Sequence, residues 1–183
     1  MQADILEEAM SGVVDLQKAR LEIKARKAFR NWTSRFEKEF ELTSRVRDIP
    51  DNMLSLMVTG REDSTFYYYD FIMNIEGLGS GFDFDGLAPD KKIHVIDRHF
   101  FLLDRFRYEF MKRLGWVDSY PGDEYTIAEL VTGFNILAPD LQAKPVELNS
   151  SHPAYEKYRN INLFEKEQVI RKLIPEALEL IEI

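Results

Sequence analysis

Between Val14 and Phe40 the apolar residues Val14, Leu21, Ala25, Ala28, Trp32, Phe36 and Phe40 recur at steps of three, four or seven. That spacing lines one face of a helix. The stretch from Ala3 to Glu41 holds no proline and is rich in Ala, Leu, Glu, Lys and Arg, side chains that lose little rotamer freedom in a helix. It predicts one long helix, or two meeting at Ser11-Gly12, within an N-terminal unit of residues 1–47. Arg20, Lys24, Lys27, Arg30 and Lys38 gather on the face opposite the apolar stripe.

A second and wider pattern runs from Pro89 to Leu114. Ile93, Val95, Ile96, His99, Phe100, Leu102, Leu103, Phe106, Phe110 and Leu114 cover about half the circumference of a helical projection. Pro89 suits an early helical position, Gly115 a C-terminal stop, and Trp116 the apolar residue that folds back over such a stop. A face this wide predicts a central, buried helix near residues 89–114.

The remaining segments are shorter. Asp51 can cap a helix to Val58 ahead of Gly60. Ser64–Glu76 has the aromatic content of a strand, but Phe66, Tyr69, Ile72, Met73 and Glu76 follow helical spacing between a cap at Asp63 or Ser64 and a stop at Gly77; helix is the reading adopted. Thr126 and Glu129 form a capping box for a helix to about Asn135, Pro139 and Pro145 bracket irregular chain, and Ser151 opens a short helix. Asn162 with Glu165 starts the last helix, which Pro175 should kink or restart. These elements predict an all-α fold: one domain over residues 1–183, a helical bundle or array with a long N-terminal amphipathic helix. At about 1.5 Å per residue that helix reaches some 50 Å, so it should overhang the body or pair with a second copy.

Composition narrows the class. With 45% hydrophobic and 31% charged residues the chain has a globular balance. It contains no cysteine, which excludes disulfides and thiolate metal sites. No apolar run approaches the ~20 residues of a spanning helix. Acids at Asp4, Glu7 and Glu8 stand where a signal peptide carries bases, so the cytoplasm is the expected location. The chain is acidic, with a net charge of −8, and this argues against general nucleic-acid binding. The charge is unevenly spread: Lys18 to Arg47 holds ten bases against four acids, a net of +6, and Asp48 to Asp90 holds nine acids against one base, a net of −8. The simplest account has the helix pack its Trp32, Phe36 and Phe40 face on the body and face the acidic segment that follows.

Candidate chemistry is sparse. Asp90, His94 and Asp97 share one stripe of the central helix, where flanking carboxylates would raise the basicity of the histidine and help it hold a metal. Opposing that, the acids can simply pair with Lys91, Arg98 and Arg105. Arg107 stands within the apolar face and needs a carboxylate or a bound anion, Asp104 being the nearest acid in sequence. His99 is expected to be a hydrogen-bonded core residue and His152 a loop residue. The glycines from Gly77 to Gly86 lack the Lys-Ser/Thr of a phosphate loop, and Asp83-Phe-Asp85 lacks the distal glutamate of a calcium loop. No catalytic constellation emerges and no cofactor is expected. The preferred expectation is a protein–protein interaction module, homodimeric through its first helix. Nucleic-acid binding through Arg20, Lys24, Lys27, Arg30 and Lys38 is one alternative, and an enzyme built on Asp90, His94 and Asp97 another.

Overall fold

A computed structural model describes the backbone of residues 2–181 and the side chains of residues 15–181. Helix α1 (Gln2–Phe36) passes through Ser11-Gly12 without a break. It ends five residues short of Glu41, because Glu37 turns left-handed with φ of 53°. The chain then doubles back, and Phe40 stacks on Phe29 with ring centroids 5.3 Å apart. The apolar stripe was therefore legible, but its last member belongs to the returning chain. Ala25, Ala28, Phe29, Trp32 and Phe36 are the buried face of α1. The side chain of Val14 lies outside the described residues, and Leu21 is exposed.

Helix α2 (Asp51–Met57) and helix α3 (Glu62–Glu76) follow. The aromatic run is helical, as its spacing predicted. Gly77 closes α3 in the left-handed conformation at φ 72°, with the Leu78 amide donating back to the Met73 carbonyl at 2.8 Å. The main packing contact of the fold is α1 against α3. Trp32 stacks on Phe71 at 4.7 Å and its indole N–H donates to the Tyr67 carbonyl at 3.0 Å. A buried indole thus keeps its hydrogen bond while its rings fill the core.

Helix α4 (Pro89–Arg113) is the central element. Gly115 stops it at φ 80°, and the Trp116 amide donates to Met111 at 3.0 Å. Among the described residues two apolar clusters form, and α4 runs through both. Val95, Phe101, Leu102, Leu103 and Phe106 enter the first with α1, α2 and α3, whereas Tyr108 and Met111 enter the second. Its burial is wider than the predicted arc: Arg98, Arg105, Tyr108 and Glu109 are buried, while Ile93 and Phe100 of that arc are exposed.

The second cluster is closed by β1 (Val117–Ser119), β2 (Glu147–Leu148), α7 (Tyr155–Tyr158) and α8 (Leu163–Leu178). The antiparallel pairing of β1 with β2 is too short for any alternation to announce it. The capping box at Thr126 is present, but the helix it starts, α5 (Ile127–Thr132), stops at Gly133. There a Cβ would come within 2.8 Å of the Glu129 carbonyl oxygen. Helix α6 (Phe134–Gln142) follows and contains Pro139, correcting the expectation of irregular chain. The box at Asn162 starts α8, which continues past Pro175 rather than restarting there.

Candidate functional site

The stripe of α4 that carries Asp90, His94 and Asp97 does not gather around a common point. Asp90 and Asp97 are exposed. His94 turns instead toward Glu76 at the end of α3, 3.8 Å from Nε2 to Oε1. Glu76 is shared with the buried Arg98, whose Nε lies 3.2 Å from the same oxygen. Partial burial and the Arg98 charge lower the pKa of His94, the reverse of the raised basicity read from its acidic neighbours in sequence. Among the described residues no group of three His, Asp or Glu side chains could hold a metal ion.

Arg107 and Asp104 do not pair with each other. Asp104 is taken by Arg171 of α8, with both carboxylate oxygens 2.6 Å from guanidinium nitrogens. Arg107 is half-buried, and its Nε donates to the Val58 carbonyl at 3.0 Å. Beside it the Tyr68 hydroxyl donates to the Met57 carbonyl at 2.9 Å, and the Thr59 hydroxyl to Leu56 at 2.7 Å. The carbonyls of Leu56, Met57 and Val58 at the end of α2 are thereby engaged, as a buried helix terminus requires. A cation at a helix C-terminus is also favoured by the helix dipole. Arg107 caps α2.

The outer part of α1 is differently disposed. From Asp15 to Lys24 no side chain is buried, and Leu16, Leu21 and Ile23 are 55%, 50% and 63% exposed. Leu21 extends the core-facing stripe beyond the body. Leu16 and Ile23, one heptad apart, lie on the far side among Arg20, Lys24, Lys27 and Arg30. Those four bases are exposed, and among the described residues none lies within ion-pair distance of a carboxylate. Lys38 is half-buried and lies past the end of the helix. The basic face therefore points outward. The apolar face makes the contact with α3, which lies in the acidic segment, through Trp32 on Phe71 and through Asn31, which donates to the buried Asp70 at 2.7 Å.

Arg105, expected to pair with an acid of the polar stripe, is buried instead. It lies two positions before Arg107, is 3% exposed, and its Nε has no hydrogen-bond partner among the described residues. Its guanidinium carbon sits 4.4 Å from the ring centre of Phe101 and 5.4 Å from that of Tyr108. Two aromatic residues, four before and three after an arginine in a helix, stack on its guanidinium, and that spacing is visible in the sequence. Arg105 lines a cavity of about 270 Å³ between α4, the chain from α6 to β2, and α8. His99 is buried as expected, but neither ring nitrogen has a hydrogen-bond partner among the described residues, where the sequence led one to expect a bond. His152 is a loop residue, accepting from the Ala154 amide at 3.1 Å and lying edge-on to Trp116.

Comparison of the chain with protein-family models, with curated proteins and with solved structures finds no match.

Proposed function

We propose that the protein is a protein–protein interaction module that associates with a second copy of itself through the outer part of α1. The observation that carries this reading is the run from Asp15 to Lys24, a helical stretch with no buried side chain and three large apolar residues in water. A helix of this kind draws most of its stability from packing an apolar face. Charge complementarity favours a second copy as the occupant. The segment from Lys18 to Arg47 carries +6 within a chain of −8, which leaves −14 on the remainder. A basic arm on one molecule and an acidic body on another attract, with a strength that salt reduces.

Light scattering across a concentration series tests it. A dimer that dissociates on dilution, and does so already at higher concentration when Leu21 and Ile23 are both replaced by Glu, supports the reading. A strict monomer at millimolar concentration in low salt overturns it.

A second reading, nucleic-acid binding by the same arm, is favoured by the outward projection of Arg20, Lys24, Lys27 and Arg30 with no carboxylate at ion-pair distance among the described residues. Retention of DNA or RNA at low salt that falls steeply as salt rises would support it. No retention at low salt removes it.

A further inference from the structure

We infer that the cavity beside Arg105 binds a small organic monocarboxylate, with the carboxylate on the Arg105 guanidinium and a short apolar body against the far wall. This rests on the body of the protein and stands independently of α1.

A guanidinium does not lose its proton in a protein, so burial forces it to find a counter-charge or bear a large desolvation cost. Burial does pull the Arg105 pKa downward, against the favourable pull of Tyr108 and Asp104. Among the described residues no carboxylate lies within 4.0 Å of this guanidinium, and Nε is orphaned. The two nearest acids in the lining are otherwise engaged. Asp104 is held by Arg171 through two bonds of 2.6 Å, and Glu167 lies 3.8 Å from the same arginine. The remaining cation of the lining, Lys144, is tied to Asp140 at 3.1 Å. Arg105 is thus a buried positive charge with no carboxylate partner among the described residues, facing open volume, while the other charges of the cavity are already matched.

Size and lining select the ligand. A volume of about 270 Å³ lies just below the ordinary range of small-molecule sites, which limits the occupant to a compact molecule. The lining holds three cations and two acids, a net of +1, and this suits a single negative charge; a phosphate dianion would meet Asp104 and Glu167 unfavourably. Pro121, Leu141, Val146, Leu163 and Ile170 supply an apolar wall. The Tyr158 hydroxyl, which donates to the Val146 carbonyl, holds that wall in place. Gly122 completes the seat, since its φ is 98° and a Cβ there would lie 3.3 Å from Arg105 Nε.

The test is a titration of the full chain with sodium acetate, butanoate, hexanoate and inorganic phosphate, followed by calorimetry and by the NMR signal of the Arg105 Nε–H. Saturable movement of that signal, affinity rising at least tenfold from acetate to hexanoate, and at least tenfold weaker hexanoate binding in Arg105→Met are expected. Absence of saturation with every carboxylate, or unchanged binding in Arg105→Met, overturns the site. Phosphate binding more tightly than hexanoate overturns the ligand class. Because the wild-type titration needs no variant, poor folding of Arg105→Met would leave the test intact. Leu163→Trp, which narrows the cavity from its more exposed side, should weaken hexanoate more than acetate.

Discussion

Asp104 and Arg171 meet fork to fork across the gap between α4 and α8, each carboxylate oxygen 2.6 Å from its own guanidinium nitrogen. The geometry is that of a bidentate pair, and Asp104 is mostly shielded while Arg171 is nearly half exposed. Such a pair carries more than a single surface contact but is still moderated by solvent. A double-mutant cycle of Asp104→Asn and Arg171→Met, read by urea unfolding, should give a coupling of about 1 kcal/mol. Additive single effects would show that α8 is held to α4 by its apolar face alone.

Tyr120 donates to the buried Glu109 at 2.8 Å, and Arg113 reaches the other oxygen of the same carboxylate at 3.1 Å. Tyr120→Phe leaves a buried carboxylate short of one donor, and a hydrogen bond to a charged group contributes about 1.5–3 kcal/mol. A loss of that size is expected in denaturant unfolding. An unchanged midpoint would mean that another donor replaces the hydroxyl.

His99 carries the clearest pH signature. Burial lowers its pKa from 6.5 to about 4, with Arg107 acting in the same direction. The folded protein therefore keeps the ring neutral over a range in which the unfolded chain protonates it. The unfolded state binds the extra proton, so stability is complete above pH 6.5 and declines as the pH falls toward 4. The full difference is on the order of 3 kcal/mol. His99→Phe should flatten the stability profile between those limits relative to the parent. It should also preserve or raise stability at pH 7, because two orphaned nitrogens are removed. Parallel profiles for the two proteins would refute the assignment.

The glycines after α3 are separable by experiment. A Cβ on Gly81 would lie 2.8 Å from the Phe66 ring and 3.1 Å from the Cα of Asp70, whereas one on Gly77 meets nothing within 4 Å. Gly81→Ala must displace backbone and should cost about 1–3 kcal/mol. Gly77→Ala pays only for its left-handed conformation, about 1 kcal/mol. Thermal unfolding of the two variants ranks them, and the reverse order would show that the loop yields more readily than the helix end.

What could be read from the chain depended on how far each signal reached. Helices α3 and α4 announced themselves through long periodic runs and local stops at Gly77 and Gly115, and α8 through its capping box at Asn162 and Glu165, since such signals lie within a few turns of one another. The end of α1 was misplaced because Glu37, not a glycine, takes the left-handed position, and nothing local marks that choice. In the glycine-rich loop the Gly81 amide donates to Asp70 at 2.9 Å, a contact across 11 positions that the glycine spacing does not announce. Arg107 drew notice because it interrupted an apolar arc, yet its partner is a backbone carbonyl 49 positions away, beyond any sequence spacing. Arg105 reads as a partner for the acids of the stripe, because an arginine among charged neighbours looks solvated. Only the packing of α6, residues 144–146 and α8 around it reveals the buried charge.

The two tryptophans fall on opposite sides of the division along α4. Trp32 is sealed in the first cluster with its indole bonded to Tyr67, and Trp116 is half-buried at the edge of the second beside His152. The molecule therefore carries an intrinsic fluorophore for each half, one in a dry aromatic setting and one within reach of quenchers. Emission from single-tryptophan variants will report directly whether the halves melt as one cooperative unit or in succession.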